Sequence, residues 1–338
     1  MDVEMRPRLG FLGLGWIGRH RMQCLAASDS VEIAALADTA PDCLAEARKL
    51  APDAQACTDY DALLDLDLDG IVIATPSALH ADQSQAALKR DRAVFCQKPL
   101  GRSGTETARV VACAQARDRL LGVDFSYRYL KGVASIRERI ANGDLGEIYA
   151  ATLTFHNAYG PDKPWFYRRA SAGGGCVTDL GIHLIDLALW LLGDRVEQVS
   201  SRCYAGGQLL APDTDKVEDY ASIRLTLGRG TCVDIACSWR LPLGRDCDIQ
   251  LAFYGTRAGM ALKNVNGSFY DFRTELYRGT ATEVLHEPVD ENGWGGRAVI
   301  AWAHKLGECR RFDEAIAPVV TVAEIIDQIY GNGEGAYR

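Results

Sequence analysis

The stretch Gly13-Leu14-Gly15-Trp16-Ile17-Gly18 decides the fold of the first part of this 338-residue chain. It follows a short apolar run and opens a helical pattern, as a G-x-G-x-x-G turn between a strand and a helix does. The glycines permit a tight bend, close approach of the backbone to a pyrophosphate, and close helix–strand packing. The helix N-terminus then faces the phosphates with its N–H groups. We therefore predict a dinucleotide contact from five residues: Gly13, Gly15, Trp16, Ile17 and Gly18.

Asp38 indicates which dinucleotide binds. It ends the next apolar run, where a carboxylate can bind both hydroxyls of a ribose. The same charge repels a 2′-phosphate, and no Arg or Lys lies between Asp38 and Arg48 to neutralise one. We therefore predict NAD as the cofactor and NADP as the less favoured one. The alternative is a structural turn in which Asp38 only caps a helix.

The pattern of strands and helices predicts two domains. Residues 1–125 alternate continuously apolar runs such as Gly70–Ala74 and Ala93–Cys96 with helical patterns, which indicates a Rossmann domain with a doubly wound parallel sheet. Residues 126–338 contain longer alternating runs, which predict an α+β domain with an open, largely antiparallel sheet for substrate binding and oligomerisation. The alternating strands are expected at Tyr149–His156, Ala221–Leu227, Thr231–Cys237 and Ile249–Tyr254, and a last helix at Pro318–Tyr330.

Composition narrows the class of protein. The formal net charge is -8 with both signs interleaved, which disfavours nucleic acid as a partner. The eleven cysteines show no C-x-x-C pair, so we expect reduced thiols and no metal site. We find no apolar run of about eighteen residues and no signal-peptide core before the first strand, so we expect a cytoplasmic protein without a membrane partner.

Two more loops follow buried strands at the edge where open α/β sheets bind ligands. They come after Gly70–Ala74 and Ala93–Cys96. A lysine held at this edge can stabilise a carbonyl or alkoxide oxygen while hydride moves, whereas the alternative is an ordinary surface lysine. We expect five residues here to contact the cofactor: Thr75, Pro76, His80, Gln97 and Lys98.

An apolar helix with three polar side chains is predicted after the run Gly173-Gly174-Gly175. Asp179, His183 and Asp186 stand at i, i+4 and i+7, on one helical face. Burying them unpaired would be costly, so they need partners or a polar cavity. A histidine beside a carboxylate suits a general base for a hydroxyl proton. The alternatives are a core histidine satisfied in its own turn, and a metal site for which no third ligand is apparent.

Together these motifs resemble the Gfo/Idh/MocA family of NAD(P)-dependent oxidoreductases. The resemblance rests on the glycine turn, Ala74-Thr75-Pro76 with His80, Lys98-Pro99, and the Gly173–Gly175 run before Asp179-x-Gly181-x-His183. It implies a dehydrogenase for a sugar, cyclitol or polyol derivative, built as a homodimer or homotetramer. The resemblance also implies a catalytic group of Lys98, Asp179 and His183, and substrate contacts from Arg128, Trp165 and Arg168.

One residue departs from the family pattern, and two other functions stay open. The family usually has Glu before Lys-Pro, whereas this chain has Gln97, so we expect an altered pH profile that Gln97→Glu should change. The family also includes redox-neutral enzymes that retain NAD and non-catalytic regulators that sense a ligand. The presence of Lys98, Asp179 and His183 together argues against a regulator.

Overall fold

The structure is a computed structural model that describes residues 6–211, 214–288 and 294–331. The chain divides into two compact units, which we describe separately. The first consists of Met1–Ser126 with Gly293–Ala323, and the second of Tyr127–Asn292 with Glu324–Arg338. The first unit is therefore built from two separate parts of the sequence.

The first unit contains a six-stranded parallel sheet in the order β3-β2-β1-β4-β5-β6. Its strands are β1 (Arg8–Leu12), β2 (Glu32–Ala37), β3 (Gln55–Ala56), β4 (Gly70–Ile73), β5 (Ala93–Cys96) and β6 (Leu121–Val123). The helices that connect them are α1 (Trp16–Ser28), α2 (Pro41–Leu50), α3 (Tyr60–Leu64), α4 (Ser77–Lys89) and α5 (Gly104–Ala116).

This strand order confirms the predicted Rossmann fold. The chain runs outward from β1 to β3 and then crosses back to β4, so the direction of winding reverses between β1 and β4. Ligands of doubly wound sheets bind where this reversal occurs. Both the glycine turn after β1 and the Thr75 loop after β4 leave the sheet at this point.

A helix from late in the sequence completes the first unit. The sequence pattern had assigned all of residues 126–338 to the second domain, so this part of the prediction differs from the structure. Helix α9 (Arg297–Glu308) packs its apolar face into the core of the parallel sheet. The Trp302 ring lies 5.6 Å from that of Phe95. A Cβ on Gly70 or Gly122 would approach Trp302 to 2.8 or 2.7 Å, so these strand glycines make room for the indole. The first unit thus extends beyond the predicted boundary because its core needs this helix.

The second unit contains a nine-stranded sheet in the order β15-β14-β13-β12-β7-β11-β10-β8-β9. All neighbours are antiparallel except β7 and β11, so the predicted mixed, largely antiparallel sheet is confirmed. The strands are β7 (Ile148–Asn157), β8 (Val196–Ala205), β9 (Gln208–Leu209), β10 (Tyr220–Leu227), β11 (Cys232–Ser238), β12 (Cys247–Gly255), β13 (Gly259–Asn264), β14 (Phe272–Arg278) and β15 (Ala281–His286). The helices are α6 (Lys131–Ala141), α7 (Arg169–Ala172), α8 (Ile182–Leu192) and the last turns of α10 (Pro318–Gly331).

The central strands bury one face, as their alternating sequences predict. In β10 and β11 the residues Ile223 and Ile235 are direct partners, and both are buried. Helix α8 is apolar on nearly every side and contacts β7 and β11. The segment Arg169–Leu192 is long and apolar enough to cross a membrane, but 78% of its most apolar window is buried inside the protein. We therefore assign this segment to the core of the second unit.

Candidate active site

The glycine turn of the first unit has the shape that a dinucleotide requires. Gly13 has a φ of +87°, and a Cβ there would lie 2.6 Å from the Ala74 carbonyl. A Cβ on Gly18 would lie 2.1 Å from the carbonyl oxygen of Gly13. Gly15 differs, because a Cβ at that position would meet nothing within 4 Å. The outer glycines allow packing inside the protein, whereas Gly15 borders open space.

Helix α1 begins at this open space without a side-chain cap. Gly15 is its N-cap and forms no side-chain hydrogen bond, so the first N–H groups are available to a ligand. Trp16 is 65% exposed and stacks on the His20 ring, and the next residue, Ile17, is partly exposed. An uncapped helix N-terminus beside a glycine without neighbours fits the pyrophosphate of NAD.

Asp38 lies at the end of β2, beside the glycine turn. Its carboxylate accepts hydrogen bonds from the N–H of Leu14 at 2.5 Å and from the N–H of Ala40 at 2.7 Å. The residue is only partly buried, so its carboxylate is held in place without being enclosed. This placement suits the ribose contact that the sequence predicts.

His80 ties the two remaining loops of this edge together. It is 1% exposed, and its two ring nitrogens lie 2.6 Å from the Thr75 carbonyl oxygen and 2.7 Å from that of Pro99. Burial lowers the pKa of His80. Because both nitrogens face backbone oxygens, the ring supports the loops, and the expected cofactor contact would have to come from its neighbours. Of these, Thr75 is partly exposed and Pro76 is exposed.

Gln97 belongs to a buried polar group that the sequence did not reveal. Its side-chain amide donates to the carboxylate of Asp124, which also accepts from the guanidinium of Arg21 at 2.6 Å. Gln97 is 8% and Asp124 1% exposed. The carboxamide therefore orients the chain just before Lys98, which is partly exposed at the end of β5. A glutamate at position 97 would face the Asp124 carboxylate directly.

A π-helical turn carries Asp179 in the second unit. It spans Val177–Gly181 and leads directly into α8; such turns are frequent at functional sites. The indole N–H of Trp239 donates to the Asp179 carboxylate at 3.1 Å. His183, on the first turn of α8, is 6% exposed, and its ring centre lies 4.9 Å from that of Tyr127. Both candidate catalytic side chains thus have aromatic neighbours that restrict their motion.

The predicted single polar stripe is divided in the structure. Asp186 is 1% exposed and forms a two-pronged ion pair with Arg128. Burial raises the pKa of the Asp186 carboxyl, and the guanidinium of Arg128 opposes that rise. Asp179, which lies in the π turn before α8, has a different partner, the indole of Trp239. In this structure the Arg128 guanidinium is therefore engaged by Asp186.

The Trp165 loop forms a small aromatic group. The Trp165 and Phe166 rings stack with centres 3.8 Å apart, and Tyr167 packs edge-on against Trp239 at 5.6 Å. Trp239 thus links this loop to Asp179. Arg168 is exposed and directly precedes α7. No group of three potential metal ligands occurs within residues 6–211, 214–288 and 294–331.

Comparison with family models accounts for most of the chain. Residues 7–125 match the model described as "Oxidoreductase family, NAD-binding Rossmann fold". Residues 133–261 match the model of the GFO/IDH/MocA C-terminal domain. The first match covers the glycine turn, Asp38 and Lys98, and the second covers Asp179 and His183.

Individual relatives agree with these models. The chain is 30% identical to a putative UDP-kanosamine synthase oxidoreductase subunit of Amycolatopsis mediterranei, over 72% of each chain. It is 28% identical to inositol 2-dehydrogenase of Rhizobium meliloti, over 77% of this chain and 76% of that protein. A solved levoglucosan dehydrogenase in complex with NADH matches the fold with a TM-score of 0.84, at 19% identity and 98% coverage of both chains.

Proposed function

This chain belongs to the Gfo/Idh/MocA family and is an NAD(P)-dependent dehydrogenase acting on CH–OH groups, and from that premise we propose that it oxidises a secondary alcohol of a sugar, cyclitol or polyol derivative. The observation that carries this proposal is the placement of His183 and Asp179 at the start of a buried helix. The relatives named inositol 2-dehydrogenase and D-glucoside 3-dehydrogenase support the substrate class.

In the proposed reaction the hydroxyl proton of the substrate passes to an imidazole nitrogen of His183. The C–H bond of the same carbon breaks, so that the alcohol becomes a carbonyl group. The hydride that leaves this carbon would go to a bound NAD, whose nicotinamide would supply the acceptor. His183 suits the proton transfer because its buried ring is restrained by Tyr127 and because an imidazole can take up a proton near neutral pH.

Asp179 and Lys98 are assigned supporting roles in the same reaction. The Asp179 carboxylate, fixed by Trp239, favours the imidazolium that forms when His183 takes the proton. The ammonium of Lys98 stabilises negative charge that develops on the substrate oxygen. Lys98 is the second residue after β5, and the buried Gln97 between them restrains the chain, so this charge is held close to the sheet edge. Substrate contacts from Arg128, Trp165 and Arg168 remain part of the proposal.

NAD is the expected cofactor because the first unit offers its binding elements. The glycine turn, the uncapped N-terminus of α1 and Asp38 would hold the pyrophosphate and the adenosine ribose. The carboxylate of Asp38 also disfavours a 2′-phosphate. A homo-oligomer and a cytoplasmic location stay predictions from the sequence and the family resemblance.

The test follows the absorbance of reduced nicotinamide while the protein and NAD meet cyclitols, aldoses, glycosides, amino sugars and sugar acids. We expect reduction with one of these classes. His183→Asn and Lys98→Met should each lower kcat by about a hundredfold or more. The matched controls are His286→Asn and Lys89→Met, which replace exposed residues of the same types and should retain turnover.

The outcomes separate the remaining functions. Turnover that survives both His183→Asn and Lys98→Met would contradict the assigned roles. Tight NAD binding without reduction by any alcohol would favour the redox-neutral enzyme if the substrate is still converted. It would favour the ligand-sensing regulator if the substrate binds unchanged.

A further inference from the structure

The three N–H groups at the start of the π turn all converge on one residue, Glu218. Its carboxyl oxygens accept from the N–H of Gly175 at 3.0 Å and from that of Val177 at 2.8 Å. Its backbone carbonyl accepts from the N–H of Cys176 at 3.1 Å. Glu218 is 1% exposed and lies just before β10. This single residue therefore binds the three consecutive N–H groups at the start of the segment that carries Asp179.

Tyr330 closes the same group from the C-terminal helix. Its hydroxyl donates to the Glu218 carboxyl at 2.9 Å, and it lies 3.0 Å from the hydroxyl of Thr178. Since the Tyr330 proton points to Glu218, the Thr178 hydroxyl can donate to the Tyr330 oxygen. Thr178 is the neighbour of Asp179 in the π turn. Glu218 thus binds the backbone at the start of the π turn, and Tyr330 binds a side chain within it.

Gly174 and Gly175 leave room for the Tyr330 side chain and for the backbone of Glu218. A Cβ on Gly174 would lie 1.8 Å from the Tyr330 hydroxyl oxygen, and one on Gly175 would lie 2.0 Å from the Glu218 carbonyl oxygen. Neither residue has the positive φ that would itself require glycine. Their glycine identity is therefore explained by close approach and not by backbone conformation.

We propose that Glu218, supported by Tyr330, is a positioning residue for the dehydrogenase reaction. By holding three consecutive N–H groups it fixes the π turn that presents Asp179 and the first turn of α8 that presents His183. This inference rests on the proposed function of His183 and Asp179. Because Glu218 acts through the backbone, its loss should impair the chemical step and leave NAD binding on the first unit unchanged.

The experiment compares Glu218→Gln, Glu218→Ala and Tyr330→Phe with the wild-type enzyme. We expect kcat to fall by about a hundredfold in Glu218→Ala, since a misplacement near 1 Å costs that much. Glu218→Gln retains an acceptor oxygen and should lose less. Tyr330→Phe removes the hydroxyl that bonds Glu218 and Thr178 but leaves the Glu218 carboxyl on the three N–H groups, and it should lose least. The Kd of NAD should stay within about twofold in all three. The matched controls Glu283→Gln and Tyr149→Phe replace exposed residues of the second unit and should match the wild type.

A purely structural role would give a different result. The variants would melt at lower temperature while kcat per folded molecule stayed at the wild-type value, and that outcome would overturn the proposal. If Glu218→Ala does not fold, Glu218→Gln and Tyr330→Phe decide the question by the same criterion.

A second measurement needs no turnover and separates this inference from the proposed function. Hydrogen–deuterium exchange across residues 174–183 should speed up in Tyr330→Phe and Glu218→Gln relative to the two controls. Unchanged exchange would overturn the positioning role even if a substrate is found. Faster exchange in an enzyme that oxidises no alcohol would count against the dehydrogenase assignment alone.

Discussion

Two glycine-rich segments of this protein lead into helices, one at Gly15 and one at Gly175. They differ in what lies beside the N–H groups at the start of the helix. At Gly15 the helix N-terminus is left open, with no side-chain cap and no atom within 4 Å of a Cβ. At Gly175 the equivalent space is filled by Glu218 of the same chain. A bound pyrophosphate would supply the hydrogen-bond acceptor at Gly15, whereas Glu218 supplies it at Gly175.

The difference shows how one structural device can serve either binding or positioning. At Gly15, where a ligand would supply the acceptor, the chain leaves the space open. At Gly175 the chain supplies the acceptor itself through Glu218, and the Tyr330 hydroxyl donates to that carboxyl. A glycine run in the sequence therefore indicates close approach without indicating what approaches.

The largest expected effect is a loss of stability at Gly175, where Glu218 fills the space beside the helix start. Gly175→Ala should lower the free energy of unfolding by about 3 kcal/mol, because its Cβ would collide with backbone atoms of Glu218 that cannot easily move. Urea denaturation followed by circular dichroism measures this loss. Wild-type stability in Gly175→Ala would mean that the entry is loosely packed.

The converse change tests the open entry. Gly15 has a φ of -61° and a ψ of -174°, which alanine also adopts, so Gly15→Ala should change the unfolding free energy by less than about 0.5 kcal/mol. The added methyl should nevertheless weaken NAD binding about tenfold, or roughly 1.4 kcal/mol. Titration calorimetry with NAD provides the measurement. Unaltered affinity would show that the pyrophosphate does not approach Gly15.

The smallest effect concerns the charge of the internal acceptor. Burial raises the pKa of Glu218, and hydrogen bonds from Val177, Tyr330 and Gly175 oppose the rise. With a folded-state pKa above the unfolded one, the group contributes its full stability below the unfolded pKa, and this contribution declines as pH rises through the folded pKa. The difference in unfolding free energy between wild type and Glu218→Gln should therefore shrink as the pH rises. The total change should be about 1.4 kcal/mol for each pH unit by which the folded-state pKa of Glu218 exceeds its unfolded-state pKa. Parallel urea curves from about pH 4 to 8 would reveal it, and a pH-independent difference would contradict it.

The sequence was sufficient for the parallel sheet and for the glycine turn between β1 and α1. Apolar runs bounded by glycine and proline located β4 and β5 closely, and the predicted strand Ala93–Cys96 has the observed bounds. The edge strands were harder to predict, because β15 is mostly exposed and shows no alternation. A strand that buries neither face leaves no periodic signal.

The supporting groups of the candidate site could not be predicted, because their partners are distant in sequence. Arg128 and Asp186 are 58 residues apart, and Trp239 and Asp179 are 60 apart. Nothing near Glu218 in the sequence distinguishes it from a surface acid. The π turn was missed for the same reason, since the N–H groups at its start bind Glu218, 41 to 43 residues away. The expected single stripe of Asp179, His183 and Asp186 assumed an uninterrupted α-helix.

The return of α9 to the parallel sheet has a consequence for biosynthesis. The strands that contain Gly70 and Gly122 leave the ribosome long before Trp302, the side chain that those glycines accommodate. A nascent chain released after Ser126 would carry every strand of the sheet and still lack part of its core. In sequence order the larger part of the second unit, residues 127–292, is therefore inserted between the two parts of the first unit. Folding of the nucleotide-binding unit cannot be finished until nearly the whole polypeptide has been translated.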